Sequence, residues 1–145
     1  MITIERVAFL RTVPLFASIP DYVLASVAQI AEEVELPAGE MFIREGDVED
    51  CMYIVVDGSV RVHSQEKTII TLGEGKSVGE LAVLDPEPRA AAVSTLEPTH
   101  LFRIAKPPFD EAMADRPEIA QGVIRALCER VREQGRLMTA ARSES

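Results

Sequence analysis

Between residues 33 and 104 the chain never keeps one periodicity for long. Short apolar or alternating runs are cut by turn residues about every eight to twelve positions, a rhythm that points to a β-sandwich or barrel. The runs fall at 33–36, 41–44, 51–56, 60–63, 68–72, 91–96 and 99–104. Between them stand Pro37-Ala38-Gly39-Glu40, Glu45-Gly46-Asp47, Asp57-Gly58, a polar turn from Ser64 to Lys67, Gly73-Glu74-Gly75 and Glu97-Pro98. Asp57-Gly58 reads as the tight turn of a hairpin.

Helical periods flank this region. Residues 3–16 predict a short helix and a turn, with Ile4, Val7, Ala8 and Leu10 on one side. Pro20 suits a first helical position, and Val23, Leu24, Val27, Ala28 and Ile30 repeat as a helix does. After Lys106, Pro107-Pro108 starts a short helix that runs to Ala114, and Asp115-Arg116-Pro117 breaks it. A long helix is predicted over 117–139. Ala120, Ile124, Leu127, Val131, Gln134 and Met138 form a heptad seam along it, widened by Ile119, Val123 and Ala126. Such a face can pack on the barrel, on a second copy, or on both. Residues 140–145 are expected to fray.

One stretch, 78–93, concentrates chemistry. Gly79 has no Cβ, so a ligand can come close to the backbone there. Glu80, when ionised, only accepts hydrogen bonds, which suits sugar hydroxyls. Residues 81–84 are long enough for one helical turn, whose free N–H groups favour an anion beside Gly79 and Glu80. Pro86 and Pro88 end that turn. Arg89 offers a planar fork of donors that matches a phosphate. Together these make a nucleotide clamp. The same residues also allow a plain Glu80–Arg89 salt bridge on a loop.

Other signals point away from catalysis. Gly75-Lys76-Ser77 lacks the earlier glycine of a phosphate-cradling loop, since position 70 is Ile70, and Gly73-x-Gly75 meets Val78 where a dinucleotide fingerprint needs glycine. His63 and His100 are far apart and form no short-spaced metal motif. His63 alternates against Val60 and Val62, so it is expected to be exposed. No Ser or Cys has a nucleophile's setting; paired-acid catalysis stays open, but nothing nominates a pair.

A length of 145 residues allows one domain with a sizeable core. The division expected is helical 1–31, barrel 32–105 and C-terminal helices 106–140. A net charge of −9 argues against a nucleic-acid footprint and against an anionic membrane surface. No apolar run approaches the ~20 residues of a membrane helix, and the first residues lack a signal-peptide layout. Cys51 and Cys128 sit in apolar settings and read as free core thiols, so a reducing cytoplasm is the expected location.

With these residues in view, the chain resembles the cyclic nucleotide-binding domain family, known from the cyclic AMP receptor protein and the protein kinase A regulatory subunit. The likeness runs through nearly all of residues 5–135 and rests on Gly39, Glu45-Gly46-Asp47, Met52-Tyr53-Ile54-Val55, Gly58, Val60-Arg61-Val62, Leu72-Gly73-x-Gly75, Gly79-Glu80-Leu81-Ala82 and Pro88-Arg89-Ala90-Ala91. It implies a mainly β fold with flanking helices: an eight-stranded jelly-roll (cupin-like) barrel, N-terminal helices and two C-terminal helices, the last one long. By the same resemblance Glu80 accepts from a ribose 2′-hydroxyl and Arg89 pairs with a cyclic phosphate. The backbone at Gly79, Leu81, Ala82, Ala90 and Ala91 lines the pocket, Val62, Leu72 and Val78 flank sugar and base, and Leu127 and Val131 cover the base.

The family's aromatic before Gly-Glu is Val78 here, its Thr is Ala92, and Asp85, Pro86 and Glu87 bring two acids and a fixed φ near an anion. Ala90 stands where cyclic-GMP-selective members tend to carry Thr. The resemblance therefore implies cyclic AMP as ligand, with cyclic GMP as the alternative and no further cofactor or metal. It implies a sensor that transmits binding through its C-terminal helices, with a homodimer through 117–139 as one arrangement and no direct contact with nucleic acid or membrane. The rival readings are a degenerate fold used only for dimerisation or interaction, a DNA-binding regulator and a cupin-like enzyme.

Overall fold

The structure, a computed structural model, describes residues 1–144. Eight strands run β1 (Glu32–Leu36), β2 (Met41–Ile43), β3 (Cys51–Asp57), β4 (Val60–Ser64), β5 (Lys67–Leu72), β6 (Ser77–Val78), β7 (Ala92–Thr95) and β8 (Thr99–Ala105). They form two antiparallel four-stranded sheets, ordered β1-β8-β3-β6 and β2-β7-β4-β5, which is a double-sheet jelly roll rather than one closed ring. Ile43, Cys51, Tyr53, Val55, Val60, Val78, Val93 and Leu101, drawn from both sheets, make one apolar core. Burying each such aliphatic side chain contributes about 1.5–3 kcal/mol, and this drives the sheets together. Six successive residues of β3, Cys51 to Val56, are buried, so this strand is covered on both faces and reads as a continuous apolar run.

Two compact units emerge. The barrel unit is Gln29–Glu111; the helical unit joins Met1–Ala28 with the chain from Ala112 onward. In the helical unit α1 (Thr3–Leu10) leads to a 3-10 turn at Pro14–Phe16 and then α2 (Asp21–Ile30), which buries Val23, Leu24, Val27 and Ala28 at helical spacing. Helix α3 spans Lys106–Asp115 and α4 spans Pro117–Glu144. Ile119 and Val123 are buried on α4, whereas Ile124, Val131 and Met138 of the heptad seam are exposed. The described residues contain no helix long and apolar enough to cross a membrane.

Several sequence expectations are corrected. Asp57-Gly58 does not close a hairpin: β3 and β4 belong to different sheets, and the turn carries the chain from one to the other. Gly58 has φ 106°, and a Cβ there would lie 2.6 Å from Thr99 Oγ1 and 2.8 Å from Pro98 O, so the β7–β8 turn is packed against this crossing. Nor does the helix fray at residue 140. Helix α4 continues to Glu144, supported by the Glu129–Arg132 and Glu133–Arg136 pairs at i,i+3 and by good helix formers at 140–142; Ser145 lies outside the described residues. Cys128 is exposed, and only Cys51 is a core thiol; both are free.

His63 is the sharpest correction. It is 2% exposed, not a surface group. Its Nε2 lies 2.8 Å from Ser94 Oγ on β7, and its Nδ1 lies 2.8 Å from the backbone oxygen of Gln65, which can only accept. The β4–β5 register shifts between Val62 and His63, and Gln65 takes φ 55° in the turn. This bends the hairpin end over the imidazole. Alternation puts His63 on the face opposite Val60 and Val62, and β4 does keep unbroken register with β7 through His63, but alternation cannot show that Ser94 and the Gln65 turn cover that face.

Candidate functional site

The stretch singled out in the sequence folds as a bracket at one end of β3. Strand β6 pairs with β3, with Val78 opposite Tyr53 and Ser77 opposite Ile54. Gly79 then turns the chain in the left-handed region, at φ 69° and ψ 27°, which glycine adopts without a Cβ clash. A single 3-10 turn follows over Glu80–Val83, with Ala82 and Val83 buried and Leu81 exposed. Ala82 N–H donates to Gly79 O at 2.9 Å and is engaged within that turn.

The return leg is held by the Glu45-Gly46-Asp47 turn. Gly46 N–H donates to Arg89 O at 2.8 Å, Arg89 N–H donates to Asp47 O at 2.8 Å, and Val48 bridges Pro88. With its backbone gripped on both sides, Arg89 has one direction left for its side chain, which is inward. That side chain is 6% exposed. Its Nη2 donates to Cys51 O at 2.6 Å and lies 3.8 Å from Cys51 Sγ. Its Nε faces Glu49 Oε1 at 3.8 Å, too long for a hydrogen bond, and is the buried donor without a partner among the described side chains.

Gly79 and Arg89 meet directly. A Cβ on Gly79 would collide with Arg89 Nη1 and lie 3.1 Å from its Cζ. The two legs of the bracket therefore place a glycine backbone against a buried guanidinium, with Glu80 next along the chain. Glu80 and Arg89 do not pair with each other: Ser77 Oγ donates to Glu80 Oε2, while Arg89 takes Glu49 and Cys51. The plain surface salt bridge is thus not what is found.

A buried charged donor left unmatched costs about 1–3 kcal/mol or more, and an anion supplies the missing acceptor. The residues present thus fit a phosphate. The acid that competes with it for Arg89 is Glu49, not Asp85 or Glu87, which are exposed and screened by solvent. The nearby Tyr53 hydroxyl is pushed up to about 12, first by burial and then by Cys51, with Arg103 opposing. Tyr53 therefore adds no negative charge at neutral pH.

The expected apolar wall also falls in one place. Val78 is in the core cluster, and Val62 and Leu72 pack against it. Val62 pairs with Ile70, which is 50% exposed and shares that face, as cross-strand partners do. Ile70 was not singled out from the sequence, because β5 carries two isoleucines in a row and alternation cannot choose between them. Ala90 is exposed and Ala91 half-buried on the approach to β7. Leu127 and Val131 belong to α4 in the helical unit, the first half-buried and the second exposed.

Ser77, Glu49 and Cys51 were also missed. Ser77 stands three residues before Glu80, a spacing typical of local capping that could have drawn notice. Nothing local marks Glu49 or Cys51. They reach Arg89 only through the pairing of distant turns. His63 and His100 lie in different sheets, and no group of three or more His, Cys, Asp or Glu side chains among the described residues could hold a metal ion.

Known proteins resemble the chain in sequence and in fold. The chain is 33% identical over 114 residues to the Pycsar effector protein XpPycTIR of Xanthomonas perforans, covering 78% of this chain and 38% of that protein. It is 26% identical over 123 residues to the CRP-like cAMP-activated global transcriptional regulator of Mycobacterium tuberculosis, covering 81% of this chain and 55% of the regulator. The chain thus spans about half or less of these relatives' lengths. Among solved structures, the N-terminal domain of a transcriptional regulator from Streptomyces coelicolor A3(2) superposes with a TM-score of 0.83 at 30% identity, over 90% of this chain and 94% of that one. The regulatory domain of Toxoplasma gondii PKA, co-crystallised with cAMP, gives 0.71 at 30% identity, over 76% of this chain and 44% of that one. The family description "Cyclic nucleotide-binding domain" matches residues 33–116, a span that holds both sheets and the whole Gly79–Arg89 bracket, and the chain belongs to that family.

Proposed function

We propose that this chain is a regulatory, non-catalytic module that binds a cyclic mononucleotide, cyclic AMP in preference to cyclic GMP, and passes binding on through α4. One observation carries this reading: the buried Arg89 guanidinium, with an unmatched Nε, lies directly against the backbone of Gly79. A cyclic phosphate takes the acceptor role at Arg89. Glu80 accepts from the ribose 2′-hydroxyl. Backbone at Gly79, Leu81, Ala82, Ala90 and Ala91 lines the pocket, and Val62, Leu72 and Val78, joined by Ile70, flank sugar and base. The base-covering role stays with Leu127 and Val131 by resemblance. Ala90 offers no hydroxyl where cyclic-GMP-selective relatives carry Thr, which favours cyclic AMP. Helix α4 qualifies as the transmitting element only if ligand biases it between two arrangements.

Calorimetry with cyclic AMP, cyclic GMP and 5′-AMP tests the site. Cyclic AMP is expected to bind most tightly, and Glu80→Gln to weaken it roughly tenfold, because an amide accepts the 2′-hydroxyl less strongly than a carboxylate. Equal affinity of Glu80→Gln and wild type for cyclic AMP removes Glu80 from the site. The exposed Ile124, Val131 and Met138, seven residues apart, favour a second, compatible role as a dimer seam. A Val131→Glu variant is expected to shift the sedimentation behaviour from dimer to monomer at micromolar concentration. If wild type dimerises but gives no heat with any cyclic nucleotide, the dimerisation module replaces the sensor.

A further inference from the structure

The acid assigned to the ribose is not left to find its own orientation. Ser77 opens β6, and its backbone is locked in register opposite Ile54 of β3, with Val55 N–H donating to Lys76 O at 2.8 Å just before it. From this fixed strand the Ser77 hydroxyl donates to Glu80 Oε2. Gly79 makes the contact possible: its left-handed backbone folds the chain back, so that positions 77 and 80 face each other across a corner.

A hydroxyl has one proton to donate, and here it goes to an ionised acceptor, the stronger class of hydrogen bond. A carboxylate offers about four acceptor positions, and the Ser77 hydroxyl takes one of them. Glu80 opens an isolated four-residue 3-10 turn, and a glutamate there has several staggered rotamers to choose among; the Ser77 contact favours those that keep Oε2 on the hydroxyl. Ordering a side chain on ligand binding subtracts from affinity, and preorganisation removes that loss.

We propose that Ser77 is a positioning residue that presents the Glu80 carboxylate to the ligand's ribose 2′-hydroxyl and so sets the preference for ribose over deoxyribose. This rests on the cyclic-nucleotide reading of the site. The hydroxyl serves the 2′ position only, so its removal should be felt only by ligands that have a 2′-hydroxyl.

The test is calorimetry with cyclic AMP and 2′-deoxy cyclic AMP on wild type, Ser77→Ala and Ser77→Thr. Wild type should prefer the ribose ligand. Ser77→Ala should bind cyclic AMP roughly three- to tenfold more weakly, the loss of one hydrogen bond, with that deficit absent for the deoxy ligand. Ser77→Thr, which keeps the hydroxyl and suits a strand, should restore the preference. Equal weakening of both ligands by Ser77→Ala, or no weakening of either, overturns the proposal while leaving the site reading intact. A wild type that binds neither ligand, or binds both alike, overturns the role of Glu80 and that of Ser77 with it.

Discussion

Arg89→Lys is expected to lower cyclic AMP affinity by about ten- to a hundredfold, and Arg89→Gln by at least as much. Each charge-assisted hydrogen bond lost is worth roughly 1.5–3 kcal/mol, and 1.4 kcal/mol is a factor of ten. Lysine keeps the charge but not the fork. In the protein Arg89 uses Nη2 on Cys51 O at 2.6 Å while Nε stays unmatched, so one planar group braces against β3 and still has a donor to offer. A single ammonium on a flexible stem cannot hold both positions. The folding consequence should differ from the binding one. A partly matched buried guanidinium is a weak source of stability, and replacing such groups with apolar residues of similar volume is often neutral. Arg89→Met should therefore lose the cyclic AMP response while its urea midpoint moves little. If Arg89→Lys titrates like wild type, the phosphate does not bind here.

Gly79→Ala should damage stability and binding together. Two effects add. At φ 69° any L side chain is strained by about 1–2 kcal/mol, and the new Cβ collides with Arg89 Nη1. Gly75 separates them. It has φ 84°, and an added methyl there would meet nothing within 4 Å, so Gly75→Ala should carry the backbone strain alone. The excess loss in Gly79→Ala, read from urea denaturation, then measures the collision. In an Arg89→Ala background that excess should vanish, since the atom it strikes is gone, giving a coupling well above the ~0.5 kcal/mol that distant sites show. Additive losses in the double variant would falsify the contact.

Much of this was legible from local pattern. The short strands, the flanking helices and the Gly79-Glu80 to Arg89 spacing could all be read along the chain, because each depends on near neighbours: pleat alternation, turn chemistry, helical period. Errors came where a long-range partner decided the outcome. The Asp57-Gly58 pair has every local mark of a hairpin, yet β3 takes β8 and β6 as neighbours while β4 takes β7 and β5. His63 alternates like a surface residue, yet the Gln65 turn and Ser94, thirty-one positions away, bury it. Asp85 and Glu87 look like the acids to fear beside an anion, yet Glu49 is the one that reaches the arginine.

The sequence by itself determined that an acid and an arginine would stand nine positions apart on either side of a proline-closed turn, with a glycine free to adopt a left-handed bend. Those are properties of residue type and spacing. Only the tertiary structure decided that the arginine would be buried, which of its nitrogens would be used, and which remained unmatched. Those depend on Cys51 and Glu49, which the chain supplies some forty residues earlier and which reach Arg89 because two turns pair backbone to backbone. Spacing along the chain brings groups within reach of one another, but the charge state of a site and its open donors are set by burial, and burial is a property of the packed fold.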